Sequence, residues 1–153
     1  MKKIKLTKNQ FALVDDEDFE FLNQWKWQAN KSRDTFYAQR SDNKNGKQKH
    51  IFMHRLLLPC ENTMVDHINR NGLDNQKHNL RTCNHSQNAA NAKFRKKYKG
   101  TYLVKGKNKF RASIMQNNKT YRLGYFKTEI DAAKAYDKKA KELYGEFASL
   151  NFE

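Results

Sequence analysis

The chain has 153 residues, enough for one ordinary domain or for two to three small ones. It carries 31 Lys and Arg against 16 Asp and Glu, a net charge of +15, so a polyanion is its natural partner. No apolar run reaches the ~18 residues of a membrane-spanning helix, which excludes one, although charge alone would equally suit RNA or an anionic lipid surface.

Residues 1–53 hold 11 basic and 7 acidic side chains. Segments 3–6 and 11–14 read as short strands. Asp15, Asp16, Glu17 and Asp18 precede Phe19, Phe21 and Leu22, and read as a helix start, where acidic residues cap free amides and favour the dipole. Trp25, Trp27, Phe36 and Tyr37 read as core or edge aromatics of a small sheet. Segment 41–48 reads as a polar turn, and 50–55 as a returning strand. This third is a β-rich leader expected to pack on the middle third of the chain.

Segment 64–68 alternates apolar residues and ends in Asp66-His67-Ile68, followed by the turn signal Asn-Arg-Asn-Gly. Segment 79–83 reads as a second short strand. Segment 86–94, with Ala89, Ala90 and Ala92, reads as a helix with Asn84 or Ser86 as its N-cap. Twelve residues separate His67 from Asn79, and nine separate Asn79 from Asn88. A strand-loop-strand-helix unit of this size buries little apolar surface and would gain rigidity from a bound ion. His67 has an ordinary pKa near ~6.5, the range of a general base. Asp66 and Asn88 are hard oxygen donors suited to Mg²⁺ or Mn²⁺. Arg81 is a candidate phosphate clamp, and Asp74-Asn75 read as fixing the turn between the strands. His54, in Met53-His54-Arg55, is expected to pack beside the site, whereas His78 and His85 read as polar surface. Cys60 and Cys83 lack zinc-site spacing and read as small buried hydrophobes, so no structural zinc is expected.

Residues 54–91 resemble the HNH nuclease motif, in which two short strands and a helix surround one divalent metal. The resemblance implies that Asp66 and Asn88 hold the metal, that His67 is the base, and that Asn79 braces the loop carrying His67. The leader is similar, more weakly, to those of phage HNH proteins.

The last third is the most basic, with 13 basic and 6 acidic residues over 97–153. Segments 98–102, 109–115 and 120–126 read as three strands joined by Lys-Gly-Lys-Asn and Gln-Asn-Asn-Lys turns. In the second strand Phe110, Ala112 and Ile114 share one face, and Arg111, Ser113 and Met115 the other. A helix follows. Thr128 is its expected N-cap with Asp131 three residues on, Ala132, Ala133, Ala135, Tyr136, Ala140 and Leu143 form its inner side, and Gly145 ends it. This pattern, from Tyr98 and Gly100 through Leu123-Gly124 and Phe126 to Asp137, Asn151 and Phe152, resembles the Apetala-two or ethylene-response-factor DNA-binding domain. That family lays its three-stranded sheet in the DNA major groove. Here the outward set is Lys99, Tyr102, Arg111, Ser113, Met115, Thr120 and Arg122. Tyr102, Met115, Thr120 and Arg122 depart from the plant family's Arg and Trp pattern, so no target sequence carries over. Arg111 and Arg122 are the candidates for base readout, and Lys99, Lys109 and Lys119, with Lys105 and Lys107, for phosphate contacts.

The expected architecture is α+β: a leader over 1–53, a ββα-metal nuclease unit over 54–93, and a sheet-plus-helix DNA-binding domain over 98–153. Phe-Arg-Lys-Lys at 94–97 is the connector. The expected activity is site-specific cleavage of double-stranded DNA of the homing type, with one active site per chain nicking one strand as a monomer or weak dimer. The competing class is a DNA-binding regulator with a vestigial nuclease unit. An RNA nuclease is disfavoured because A-form RNA hides its major groove from side chains. No small-molecule cofactor is expected. Two cysteines and no signal peptide suggest the cytoplasm of a bacterial or phage-infected cell.

Overall fold

The computed structural model of the chain describes residues 1–44, 47–94 and 97–152. The protein is of the α+β class and separates into two compact units, Met1–Asn84 and His85–Glu153. Among the described residues no helix is long and apolar enough to cross a membrane.

The first unit opens with β1 (Lys2–Lys5) paired antiparallel to β2 (Phe11–Val14), which turns Ile4, Ala12 and Val14 inward. Helix α1 (Asp16–Asn23) comes next, with three acidic residues in its first turn, where they favour the dipole. Asp15 stands at its N-cap but makes no cap bond there. Its carboxylate instead accepts Lys77 N at 2.7 Å and Gln76 Nε2 at 3.3 Å, so it ties down the 3-10 turn Lys77–Asn79. Those bonds, the Lys77 amide first, lower the Asp15 pKa.

Strands β3 (Gln28–Ser32), β4 (Thr35–Lys44) and β5 (Lys47–Phe52) form a meander in that order. The expected polar turn over 41–48 is largely strand: Ser41 pairs with His50 and Asp42 with Lys49. Residues 45 and 46 lie outside the described residues, as do 95 and 96 of the connector. Residues 41–50 are polar throughout, which leaves no apolar alternation to read. The expected strand over 50–55 is also cut short. At Met53 the chain enters α2 (Met53–Leu57), a run of good helix formers halted before Pro59.

Ile4, Val14, Leu22, Trp27, Met53 and Leu73 belong to one core. That core joins the leader to the loop behind β6 (Met64–His67), which pairs antiparallel with β7 (Leu80–Cys83). The backbone is stitched as well: Leu13 N donates to Leu73 O, and Asn75 N to Leu13 O, each at 2.8 Å. Gly72 lies so close to β4 that a Cβ there would sit 2.5 Å from Phe36 O.

The second unit begins with α3 (His85–Asn91), so the helix expected at the end of the nuclease segment packs with the C-terminal third. Strands β8 (Thr101–Val104), β9 (Lys109–Gln116) and β10 (Lys119–Phe126) form an antiparallel sheet with β9 central. Helix α4 (Glu129–Tyr144) packs on that sheet, with Ala132, Ala133, Tyr136 and Ala140 buried alongside Ala112 and Ile114. Thr128 Oγ1 accepts Asp131 N at 3.1 Å, and Gly145 closes the helix at φ 53°. Gly100, at φ 76°, has no room for a side chain, since a Cβ would collide with the Tyr136 ring. Buried Asp137 accepts Asn151 N and Phe152 N, each at 2.9 Å, and Asn151 in turn takes Lys99 N at 2.6 Å.

Candidate active site and nucleic-acid interface

In the first unit the β6–β7 register sets Asp66 opposite Arg81 and His67 opposite Leu80. Facing side chains on paired strands meet, and both Nε and Nη2 of Arg81 donate to Asp66 Oδ2, at 3.0 and 2.9 Å. The two side chains are only 11% and 7% exposed. Arg81, the expected phosphate clamp, is paired with Asp66 in this structure. Asp66, His67, Asp74, Asn75 and Asn79 are all buried polar residues, an unusual concentration in so small a unit.

Asn79 closes the loop that follows His67. Its Oδ1 accepts Asn69 N at 3.0 Å, and its Nδ2 donates to Asn69 Oδ1 at 3.0 Å and to Asp74 O at 2.8 Å. Its carbonyl accepts Ile68 N at 2.9 Å. Asp74 accepts Asn69 Nδ2 at 2.7 Å and so fixes the turn. Asn75, read as its companion in that turn, instead presents Oδ1 to His67 Nε2 at 3.4 Å and is fully buried. Its signal was masked because Asp-Asn is also ordinary turn chemistry.

Aromatic rings frame the imidazole. Tyr37 lies 5.7 Å and His54 5.1 Å from the His67 ring, centroid to centroid. Burial pushes the His67 pKa below its ordinary value, against the Asn75 contact and the charges of Asp66 and Asp74, which pull it up. Burial acts in the same sense on His54, aided by His67 and Arg55, and carries its pKa down to about 3. The Tyr37 hydroxyl is raised, by burial first and then by Asp66. Cys83 is buried and its thiol is pushed up to about 11 by burial, whereas Cys60 is half-buried rather than buried, with Sγ donating to Thr63 O. Among the described residues no group of three or more His, Cys, Asp and Glu side chains could hold a metal ion.

In the second unit Asn88 is half-buried on α3. That helix is well anchored. Ser86 Oγ meets Tyr144 OH at 3.0 Å and accepts Asn117 N at 3.2 Å, while the Tyr144 hydroxyl donates to Met115 O. At the other end Lys99 Nζ donates to Ala90 O at 2.5 Å and Ala92 O at 3.0 Å. Lys99 thus satisfies terminal carbonyls of α3, a use its expected place among the phosphate contacts did not foresee.

The outer face of the sheet carries Tyr102, Arg111, Ser113, Met115, Thr120 and Arg122, with Lys109 at the head of β9. The Arg111 guanidinium lies 5.3 Å from the Tyr102 ring centre, and its Nε is buried without a partner among the described residues. Lys119 lies 5.2 Å over Tyr121, a ring it shares with Lys139 of α4, so its ammonium leans to the helix side. Sequence reading missed Tyr125. Strict alternation from Arg122 would turn it inward, but the register shifts between Arg122 and Gly124. The bulge, with Gly124 at φ 118°, turns Tyr125 outward beside Arg111, where it is 59% exposed.

No protein-family model matches the chain. Over 148 residues it is 33% identical to a protein of Acanthamoeba polyphaga mimivirus named as an uncharacterized HNH endonuclease, a match that takes in 94% of this chain and 76% of that protein. Such a match crosses both units, and at that identity and coverage the chain belongs to the HNH endonuclease family.

Proposed function

We propose that the protein is a metal-dependent, site-specific DNA endonuclease of the homing type that nicks one strand as a monomer. The observation that carries this reading is the buried constellation at His67: an imidazole kept neutral by burial, oriented by Asn75, with its loop braced by Asn79. With Asn75 Oδ1 toward Nε2, the proton sits on Nε2 and Nδ1 is the nitrogen that takes a proton from water. The water oxygen then bonds to phosphorus as the bond to the departing ester oxygen breaks, and that oxygen takes up a proton from solvent.

By residue type Asp66 and Asn88 would be the hard oxygen donors that hold Mg²⁺ or Mn²⁺. When bound, such a cation offsets the charge that builds on the phosphate and leaving oxygen. The chain order β6, β7, α3 supports a ββα reading of the nuclease unit. Arg81, paired with Asp66, holds that carboxylate in place.

The basic second unit supports target choice through the outer face of its sheet, in the manner of the Apetala-two domains it resembles. Arg111 and Arg122 would read bases, Tyr102, Ser113, Met115 and Tyr125 would pack against the groove, and Lys109 would contact phosphate.

The test is cleavage of supercoiled plasmid with Mg²⁺, Mn²⁺ or EDTA, wild type beside His67→Ala. Metal-dependent nicked circles from wild type alone are expected. Equal nicking by both proteins would remove His67 from the chemistry. Tight binding without cleavage, even on DNA carrying the host locus, would mean a regulator instead.

A further inference from the structure

His54 is the histidine that base catalysis by His67 leaves unused. It sits in the first turn of α2 and is 7% exposed. Its ring is clamped in one orientation: stacked on Phe52 at 5.5 Å, edge-on to Tyr37 at 5.6 Å, and edge-on to His67 at 5.1 Å. Among the described residues neither ring nitrogen has a hydrogen-bond partner. Nδ1 is sealed from solvent; Nε2 is not.

A buried polar group left unpaired is destabilising, and a leucine or phenylalanine would fill the same space without that penalty. A clamped imidazole with an open nitrogen beside the base therefore lacks its partner rather than its purpose. Which nitrogen carries the proton identifies that partner. An orphaned buried N–H is rarer and costlier than an under-used acceptor, so sealed Nδ1 is the bare nitrogen and Nε2 carries the hydrogen. Burial keeps the ring neutral. His54 thus presents a fixed, uncharged N–H donor within one ring's distance of His67. A metal-ligand role does not fit. It would put the lone pair on Nε2 and the proton on Nδ1, where a metal-bound histidine needs an acceptor and, among the described residues, none exists.

We propose that His54 is a further catalytic residue, whose Nε2–H donates to a non-bridging oxygen of the phosphodiester being cut. The inference rests on His67 acting as the nuclease base. The donor bonds the phosphate most strongly when charge has built on its oxygens, so its effect falls on the rate of cutting more than on binding.

Two measurements on the full chain test it. Nitrogen-15 histidine spectra of the metal-free protein at neutral pH read the tautomer directly. An Nε2–H form of His54 is expected, and an Nδ1–H form overturns the proposal whatever the cleavage result. Single-turnover plasmid nicking then compares His54→Gln, which keeps a donor near Nε2, with His54→Phe, which keeps the flat ring without one. The phenylalanine variant should cut about 100-fold more slowly, while its DNA binding in EDTA and its Mn²⁺ half-saturation stay within about 3-fold of wild type. The glutamine variant should recover most of that loss. Unchanged cutting by His54→Phe, or equal loss in both variants, would make His54 a packing residue. A selective rise in the Mn²⁺ requirement would make it a metal ligand. His67→Ala cutting as well as wild type would bring down the nuclease reading instead, and leaves the tautomer result to stand or fall alone.

Discussion

Acid should loosen the first unit through His54 in particular. The ring's pKa falls from 6.5 to about 3 on folding, so the folded protein keeps it neutral at pH values where the unfolded chain takes up a proton. The stability this group provides is complete above the unfolded value and is lost as pH falls through the window from 6.5 toward 3. Between pH 7.5 and pH 5 the linkage relation gives a loss of about 2 kcal/mol, and the figure hardly changes if the folded pKa is taken as 4. The perturbation is His54→Phe, which removes the titrating group and keeps a ring against Phe52 and Tyr37. The assay is urea unfolding in EDTA at the two pH values, followed by tryptophan fluorescence. Trp25 and Trp27 are the chain's two tryptophans and both lie in the first unit, so the signal reports that unit alone. His67 is shifted in the same direction and adds an acid loss that both proteins share. Wild type should therefore lose about 2 kcal/mol more than the variant. Equal acid losses would refute the claim that a neutral His54 is buried at a cost.

Arg81→Ala strands Asp66 in a buried hairpin and should destabilise the first unit by about 3–5 kcal/mol in EDTA, measured by the same fluorescence; a loss under about 1 kcal/mol would mean the pair is effectively solvated. Gly100→Ala places a methyl in the Tyr136 ring and should melt the second unit's helical circular dichroism well below the wild-type temperature, whereas Gly106→Ala, where a Cβ meets nothing within 4 Å, should cost far less. In selections from random duplex DNA, Arg111→Ala should relax preference at one base pair by ~1–3 kcal/mol, and Tyr125→Ala should alter a neighbouring position; a uniform loss across all sequences would leave both as backbone contacts. Lys109→Ala should lower the log-log salt slope of binding by about 0.9 without changing the preferred site.

Period and spacing made much of this molecule legible in its amino-acid order. The β6–β7 hairpin, the last two C-terminal strands and the Thr128-capped helix lie where alternation, turn signals and capping chemistry put them, whereas the first C-terminal strand runs over Thr101–Val104 rather than the expected 98–102. The departures have local physical causes. Segment 41–48 is polar throughout, so its amino-acid order carries no alternation and its described strand residues are placed by pairing. Met53 ends a strand-like alternation by entering the core on a helix. Arg81 and Lys99 are cations whose partners, Asp66 and the end of α3, are set by register and tertiary packing rather than by neighbours in sequence. Tyr125 faces outward only because a one-residue bulge reverses the alternation, a shift that Leu-Gly hints at but cannot assign to a given residue.

The stitch between Leu13 and the 73–75 loop bears on how such a chain could be reshuffled by recombination. The segment around His67 looks like a cassette on paper, about forty residues with its own signature. Yet its loop draws backbone partners from β2 and an anchoring carboxylate from Asp15, some sixty positions upstream. A crossover between residues 14 and 67 would separate the imidazole from the strand that shapes its loop. The inheritable piece is therefore the whole first unit, and chimaeras joined at residues 84–85 should keep their fold where those joined at 53–54 would not.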